Sequence, residues 1–104
     1  MRIVTAADVT LERAWDAVDL ARIPDATVRL HWTDQPYVWH VNDGIEVFVV
    51  LDGAVDMHYR DPDGQKLVAL LDPGTVFVAE DGDEHVARPR GTARVLVIEH
   101  AGSI

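Results

Sequence analysis

The sequence predicts an all-β domain, a small jelly-roll-like barrel of two antiparallel sheets with one short N-terminal helix. Apolar and polar side chains alternate in short runs, as at residues 28–33 and 55–60. Turn-forming residues separate the runs, most clearly at Asp61–Gly64 and Asp72–Gly74. Such alternation between turns is typical of strands, because successive side chains of a strand point to opposite faces. Many short strands at close spacing favour a sandwich or a barrel.

The predicted strands follow one another from residue 20 to residue 99. They cover residues 20–23, 28–33, 37–42, 46–51, 55–60, 67–71, 75–79, 85–87 and 94–99. The run at residues 46–51 is nearly all apolar, so both of its faces need a cover. The barrel interior takes one face. The N-terminal helix or a second copy of the chain takes the other, which predicts a homodimer.

The helix is expected where the spacing of apolar residues changes. Leu11, Ala14, Trp15 and Val18 lie three or four positions apart, and Thr10 is a suitable N-cap. Because this spacing places the four side chains on one helical face, we expect the helix to cover one open end or face of the barrel.

Length and composition limit the classes of protein to consider. The 104 residues suffice for one domain, with an N-terminal extension over residues 1–25 and a barrel over residues 28–100. The formal net charge of −9 and the lack of a basic stripe argue against a nucleic-acid partner. No apolar run approaches the roughly 20 residues of a membrane span. With no cysteine and no signal-peptide pattern, we expect a cytoplasmic protein.

Two spaced sets of residues form the clearest motifs. They read His40-x-Asn42-x3-Glu46-x6-Gly53 and Gly74-x5-Glu80-x-Gly82-x2-His85. In order and internal spacing they resemble the two cupin motifs, and the resemblance covers about residues 28–100. More closely, the chain resembles the small single-domain cupins described as mannose-6-phosphate-isomerase-like or conserved-barrel proteins. This fold carries many activities, so the resemblance is more specific for fold than for function.

The resemblance implies a divalent metal ion (Fe, Mn, Zn or Ni) inside one end of the barrel. By position in the motifs, the ligands would be His40, Glu46 and His85, with Asn42 as a fourth donor. Asn42 is a departure, because the family pattern has a second histidine there. An amide oxygen is a weaker donor than imidazole toward most of these metals, so the departure lowers the expected affinity and leaves a metal-free pocket as the alternative.

Two hairpin registers are possible between the predicted strands at residues 37–42 and 46–51. A two-residue loop, Asp43-Gly44, would place Glu46 on the face opposite His40. A three-residue loop, residues 43–45, would place Asn42 opposite Glu46, so that all three polar groups converge. We favour convergence, because a lone carboxylate in an apolar core is very costly.

Two functions compete at this stage. The first is a metal-dependent isomerase or oxygenase acting on an unidentified small molecule. It needs an acid or base, and the strand pattern argues against the nearby candidates, Tyr37 and His58, facing the interior. The second is a non-catalytic ligand-binding or dimeric scaffold cupin with a degenerate, metal-free pocket.

Overall fold

The computed structural model describes residues 1–102 and contains two antiparallel sheets, as predicted. The nine strands are β1 Ala17–Ile23, β2 Ala26–Thr33, β3 His40–Val41, β4 Glu46–Asp52, β5 Val55–Arg60, β6 Lys66–Leu71, β7 Val76–Ala79, β8 Glu84–Pro89 and β9 Ala93–His100. One sheet has the order β1-β2-β9-β4-β7, and the other has the order β3-β8-β5-β6. No helix within residues 1–102 is long and apolar enough to cross a membrane.

The core lies between the two sheets and follows the alternation of the sequence. In β4, Phe48 and Val50 are buried, at 4 % and 0 % exposed. The facing sheet contributes the fully buried side chains of Val55 and Met57 from β5. Because every second residue of these strands is apolar and turned inward, the pattern itself specifies the buried face of each sheet.

The predicted N-terminal helix is displaced from its expected position. A single 3-10 turn occurs at Ala6–Asp8, whereas Val18 belongs to β1 and pairs with Leu30 of β2. The backbone N–H of Trp15 donates to the carbonyl of Trp32 at 2.9 Å, and Trp15 has a φ of 67°. A helix over Leu11–Val18 is therefore wrong, because pairing with β2 outweighs the local helical spacing.

The N-terminal segment is attached to the outer face of the five-stranded sheet. Arg94 of β9 donates from Nε to the carbonyl of Val9 at 2.8 Å, and from Nη1 to Asp52 at 2.7 Å. The turn at Ala6–Asp8 contacts β4. This segment therefore covers part of the outer apolar face of β4.

Neither predicted hairpin register forms, because β3 and β4 belong to different sheets. The backbone N–H of Asn42 donates to the carbonyl of Asp83 at 2.7 Å, and the N–H of Gly82 donates to the carbonyl of Asn42 at 2.9 Å. These bonds attach the end of β3 to the turn before β8. Residues 43–45 then carry the chain across to β4 in the opposite sheet.

Gly53 lies in the turn between β4 and β5, and a substitution there tests how closely this turn packs against its neighbours. Gly53 has a φ of 78°, and an added Cβ would lie 3.0 Å from the Cα of Ala93 and closer still to the Thr92 carbonyl. We expect Gly53→Ala to lower the free energy of unfolding by about 3 kcal/mol or more in urea denaturation, from strain and overlap together.

Gly64 is the matched control. Its φ is 82°, but nothing lies within 4 Å of an added Cβ. Gly64→Ala should therefore cost about 1–2 kcal/mol, from the left-handed conformation alone. Equal losses for the two variants would contradict a steric role for the contact at Thr92.

Candidate metal centre

A cavity of about 270 Å³ opens between the inner faces of the two sheets. Its apolar wall includes Trp15, Tyr37 and Phe48. Its polar lining consists of Arg29, His31, His40, Glu46, His85 and Glu99. Both sheets contribute polar groups, so the cavity is a place where residues distant in the sequence meet.

Two histidines face each other across neighbouring strands of the four-stranded sheet. His40 of β3 lies directly opposite His85 of β8, and their ring centroids are 4.4 Å apart. The Nδ1 of His40 is 3.0 Å from the carbonyl of Val38, so its N–H donates there and Nε2 carries the lone pair. Such a backbone partner fixes the tautomer of a metal-ligating histidine.

His85 is more deeply buried than His40, with 2 % of its surface exposed. Burial, followed by the nearby His40, lowers the pKa of His85 to about 4. Its ring is therefore neutral near pH 7, as metal ligation requires. Among the described residues, its buried Nδ1 has no hydrogen-bond partner.

Glu46 reaches the same cavity from the opposite sheet. Its Oε1 lies 3.8 Å from Nε2 of His85. Burial, followed by a hydrogen bond with the side chain of Glu99, raises the pKa of Glu46 to about 7. His40, Glu46 and His85 thus line one cavity, although they are brought together across the two sheets and not within a hairpin.

Asn42 lies beside this group and is absent from the lining of the cavity. It is 6 % exposed, and its Nδ2 donates to the carbonyls of Gly44, Ala79 (3.3 Å) and Glu80 (3.4 Å). Its Oδ1 lies 3.4 Å from Nε2 of His85. The amide therefore links the loop after β3 to the end of β7 and also contacts His85.

Tyr37 and Glu99 line the cavity although the sequence analysis did not place them there. Tyr37 packs edge-on against His40, with centroids 5.4 Å apart, because residues 36–39 are not a regular strand and the alternation argument fails there. Glu99 lies directly opposite Glu46 on β9. Its alternation with the buried residues Val95 and Val97 was the available sequence signal that it faces inward.

The donor types suit a divalent metal, but the side chains are not gathered around one point. Two imidazoles and a carboxylate form the donor set of many iron and manganese sites. Ligands at about 2.1 Å from one octahedral ion lie about 3 Å from each other, which is closer than the 3.8 Å between Glu46 and His85. Within residues 1–102, no three His, Cys, Asp or Glu side chains are arranged to hold a metal ion.

Comparisons with known proteins give the class of the domain. No protein-family model and no curated protein sequence matches the chain. Among solved structures, a cupin-2 domain protein from Shewanella frigidimarina is similar with a TM-score of 0.74 and 26 % identity, over 86 % of this chain and 84 % of that one. A cupin superfamily protein from Desulfitobacterium hafniense has a TM-score of 0.73 and 17 % identity, over 91 % and 85 % of the two chains.

An iron-containing enzyme shares the fold. Hydroquinone 1,2-dioxygenase PnpCD in complex with Fe³⁺ has a TM-score of 0.74 and 18 % identity, over 85 % of this chain and 28 % of that one. In this chain the shared fold consists of two antiparallel sheets. This chain therefore has the fold of a small cupin domain. The narrower resemblance to mannose-6-phosphate-isomerase-like proteins stays a prediction.

His31 provides a test of burial in the cavity wall. Burial lowers the pKa of His31, while its Nδ1 lies 2.9 Å from the carbonyl of Trp15. In the unfolded chain His31 binds a proton below about pH 6.5, whereas in the folded chain its lowered pKa disfavours protonation. The free energy of unfolding therefore falls as the pH drops below about 6.5. We expect a smaller fall in Tm between about pH 7.5 and pH 5.5 for His31→Gln than for the unmodified chain, measured by thermal denaturation. Identical falls would show that His31 is not shielded from water.

Proposed function

We propose that this cupin binds a small molecule in its cavity beside a divalent metal ion held by His40, Glu46 and His85. The observation that carries the proposal is the meeting of these three side chains, from strands of both sheets, in one cavity. Iron in the complex of the dioxygenase that shares the fold supports a metal in such a cavity.

The protonation states of the cluster support metal binding near neutral pH. His85 is neutral because burial lowers its pKa to about 4, and the Val38 carbonyl accepts from Nδ1 of His40, not from its Nε2. Glu46 must lose its proton before it binds a cation, and a pKa of about 7 makes this possible at physiological pH. Fe²⁺ and Mn²⁺ accept mixed imidazole and carboxylate ligands, and Zn²⁺ or Ni²⁺ are further candidates.

We infer isomerisation or oxygenation of a small molecule as the reaction class. A bound divalent ion supplies Lewis-acid activation of such a ligand. Residues of the chain itself form the apolar wall of the cavity: the rings of Trp15 and Tyr37 pack edge-on, with centroids 5.3 Å apart. A volume of about 270 Å³ limits the ligand to a small one.

A metal-free ligand-binding or scaffold cupin is the second candidate. It is favoured by the separation of Glu46 from His85 and by the amide hydrogen bonds of Asn42, where the family pattern has a histidine. The same cavity and wall would then bind a small molecule through hydrogen bonds alone. The cytoplasmic location and the lack of a nucleic-acid partner, expected from the composition, remain predictions.

Metal content separates the two candidates. After incubation with Mn²⁺, Fe²⁺, Zn²⁺ or Ni²⁺ and removal of excess ion, we expect the chain to retain about one ion per molecule in elemental analysis. Glu46→Gln removes the charged ligand and should weaken binding at least about tenfold. Glu84→Gln is the control, because Glu84 pairs with Arg60 on the outer face of β8. Retention of no ion by the unmodified chain would favour the metal-free candidate.

We further propose a homodimer formed through the five-stranded sheet. On the outer face of edge strand β7, Val76 and Val78 are 53 % and 54 % exposed. An edge strand with exposed apolar side chains can pair with the edge of another sheet. A second copy of the chain presents the same edge strand, so two copies can form a symmetric interface.

A charged side chain on that strand tests the dimer. We expect Val78→Lys to shift the mass in analytical ultracentrifugation from dimer to monomer, because the charge would be buried at the interface. Val68→Lys is the control, since Val68 is 58 % exposed on the other sheet. A monomeric unmodified chain, or a dimer that survives Val78→Lys, would contradict the proposed interface.

A further inference from the structure

We propose that Trp15 is a ligand-contacting residue, and that it favours a flat aromatic ring carrying hydroxyl groups as the small molecule in the cavity. This inference rests on the proposed binding of a small molecule, and it does not depend on a metal ion. It names the chemical class of that molecule, a small phenol, and the side chain against which its ring packs.

The backbone of Trp15 has a conformation that a bulky side chain rarely adopts. Two non-glycine residues of the described part of the chain have a positive φ, Trp15 at 67° and Asp25 at 66°. Asp25 lies in the tight turn between β1 and β2, where aspartate is a common residue. At Trp15 a glycine or an asparagine would relieve the strain, because a large side chain is unfavourable in the left-handed region. Strain of this kind is often kept where it positions a functional side chain.

Hydrogen bonds at three points hold Trp15 in this conformation. Its backbone N–H donates to the carbonyl of Trp32 at 2.9 Å, and its own carbonyl lies 2.9 Å from Nδ1 of His31. The indole Nε1 donates to the carbonyl of Gln35 at 2.8 Å. The two N–H groups and the carbonyl of Trp15 are therefore all bonded, which fixes the position of the indole ring.

The indole ring belongs to an aromatic wall of the cavity. Trp15, Tyr37 and Phe48 line the cavity together with the smaller side chains of Ala87 and Val97. The ring centroids of Trp15 and Tyr37 are 5.3 Å apart, and their planes are inclined at 67°. Aromatic rings prefer such edge-to-face contacts, and a flat ring of a ligand can make them with this wall. A saturated ring has no π-system, so the wall favours an aromatic ring over a saturated ring of similar size.

The polar lining of the cavity suits hydroxyl groups. It contains charges of both signs, Arg29 and Glu99, so a ligand of either charge would approach one group that repels it. Nδ1 of His31 donates to the carbonyl of Trp15, and burial lowers the pKa of His31, so the neutral ring leaves Nε2 as an acceptor. A hydroxyl group carries no charge, and it can both donate to an imidazole nitrogen and accept from a guanidinium.

Calorimetric titration of the full chain with three matched probes tests the ring and the hydroxyl groups separately. Resorcinol has a flat ring with two hydroxyl groups. Cyclohexane-1,3-diol keeps the hydroxyl groups on a saturated ring, and 1,3-dimethoxybenzene keeps the flat ring without a donor. We expect resorcinol to bind at least about tenfold more tightly than either of the other probes, with or without added Mn²⁺.

Substitution of tryptophan tests the residue itself. Trp15→Leu keeps an apolar side chain but removes the π-system, so it should weaken resorcinol binding at least about tenfold and change the affinity for the diol less. Trp15→Phe keeps an aromatic ring and should retain part of the affinity for resorcinol. Trp39→Leu is the control, because Trp39 is 38 % exposed and is absent from the cavity lining.

Indole N–H resonances of the unmodified chain give a second measurement that stands even if Trp15→Leu fails to fold. The resonance of Trp15 should shift on titration with resorcinol, and that of Trp39 should not. A shift at Trp39 alone would place the probe outside the cavity and contradict the role of Trp15.

The possible outcomes separate this inference from the proposed function. If the diol or dimethoxybenzene binds as tightly as resorcinol, the preference for a phenol is overturned and binding of a small molecule stands. A merely structural Trp15 would lower Tm in Trp15→Leu and leave the resorcinol affinity unchanged, which overturns its role as a ligand contact. Resorcinol binding by a chain that retains no metal ion would support the inference although the metal function fails. If none of the three probes binds, the inference is overturned, and metal content alone then decides the proposed function.

Discussion

The pairing of β3 with β8 is the contact on which the cavity depends. It sets His40 opposite His85 in the four-stranded sheet, whereas β4 belongs to the five-stranded sheet. Glu46 then approaches the two imidazoles across the interior of the barrel. Backbone hydrogen bonds between Asn42 and the turn at residues 82–83 maintain this arrangement, because they hold the short strand β3 in place.

Burial shifts the pKa values of Glu46 and His85 in opposite directions. It lowers the pKa of His85 to about 4 and raises that of Glu46 to about 7, since in both cases the neutral form is favoured away from water. Burial therefore favours the neutral forms of both His85 and Glu46.

The N-terminal segment contributes to the cavity although it lies outside the barrel strands. Trp15 donates from Nε1 to the carbonyl of Gln35 at 2.8 Å and packs edge-on against Tyr37. Tyr37 in turn packs against His40. Aromatic contacts thus connect Trp15, near the start of the domain, to the pair His40 and His85. The apolar wall of the cavity is therefore in direct contact with its two histidines.

The alternation of apolar residues was enough to predict the two-sheet architecture, and the motif spacing was enough to single out the candidates His40, Glu46 and His85. Alternation of apolar residues and spacing between motif residues are local properties, and they carry this information directly. Long-range pairing placed β3 and β4 in different sheets, left the segment containing Trp15 non-helical and set Glu99 opposite Glu46, and none of these features was predicted. The physical reason is that alternation shows which face a side chain occupies, whereas the strand that it meets depends on hydrogen bonds between segments far apart in the chain.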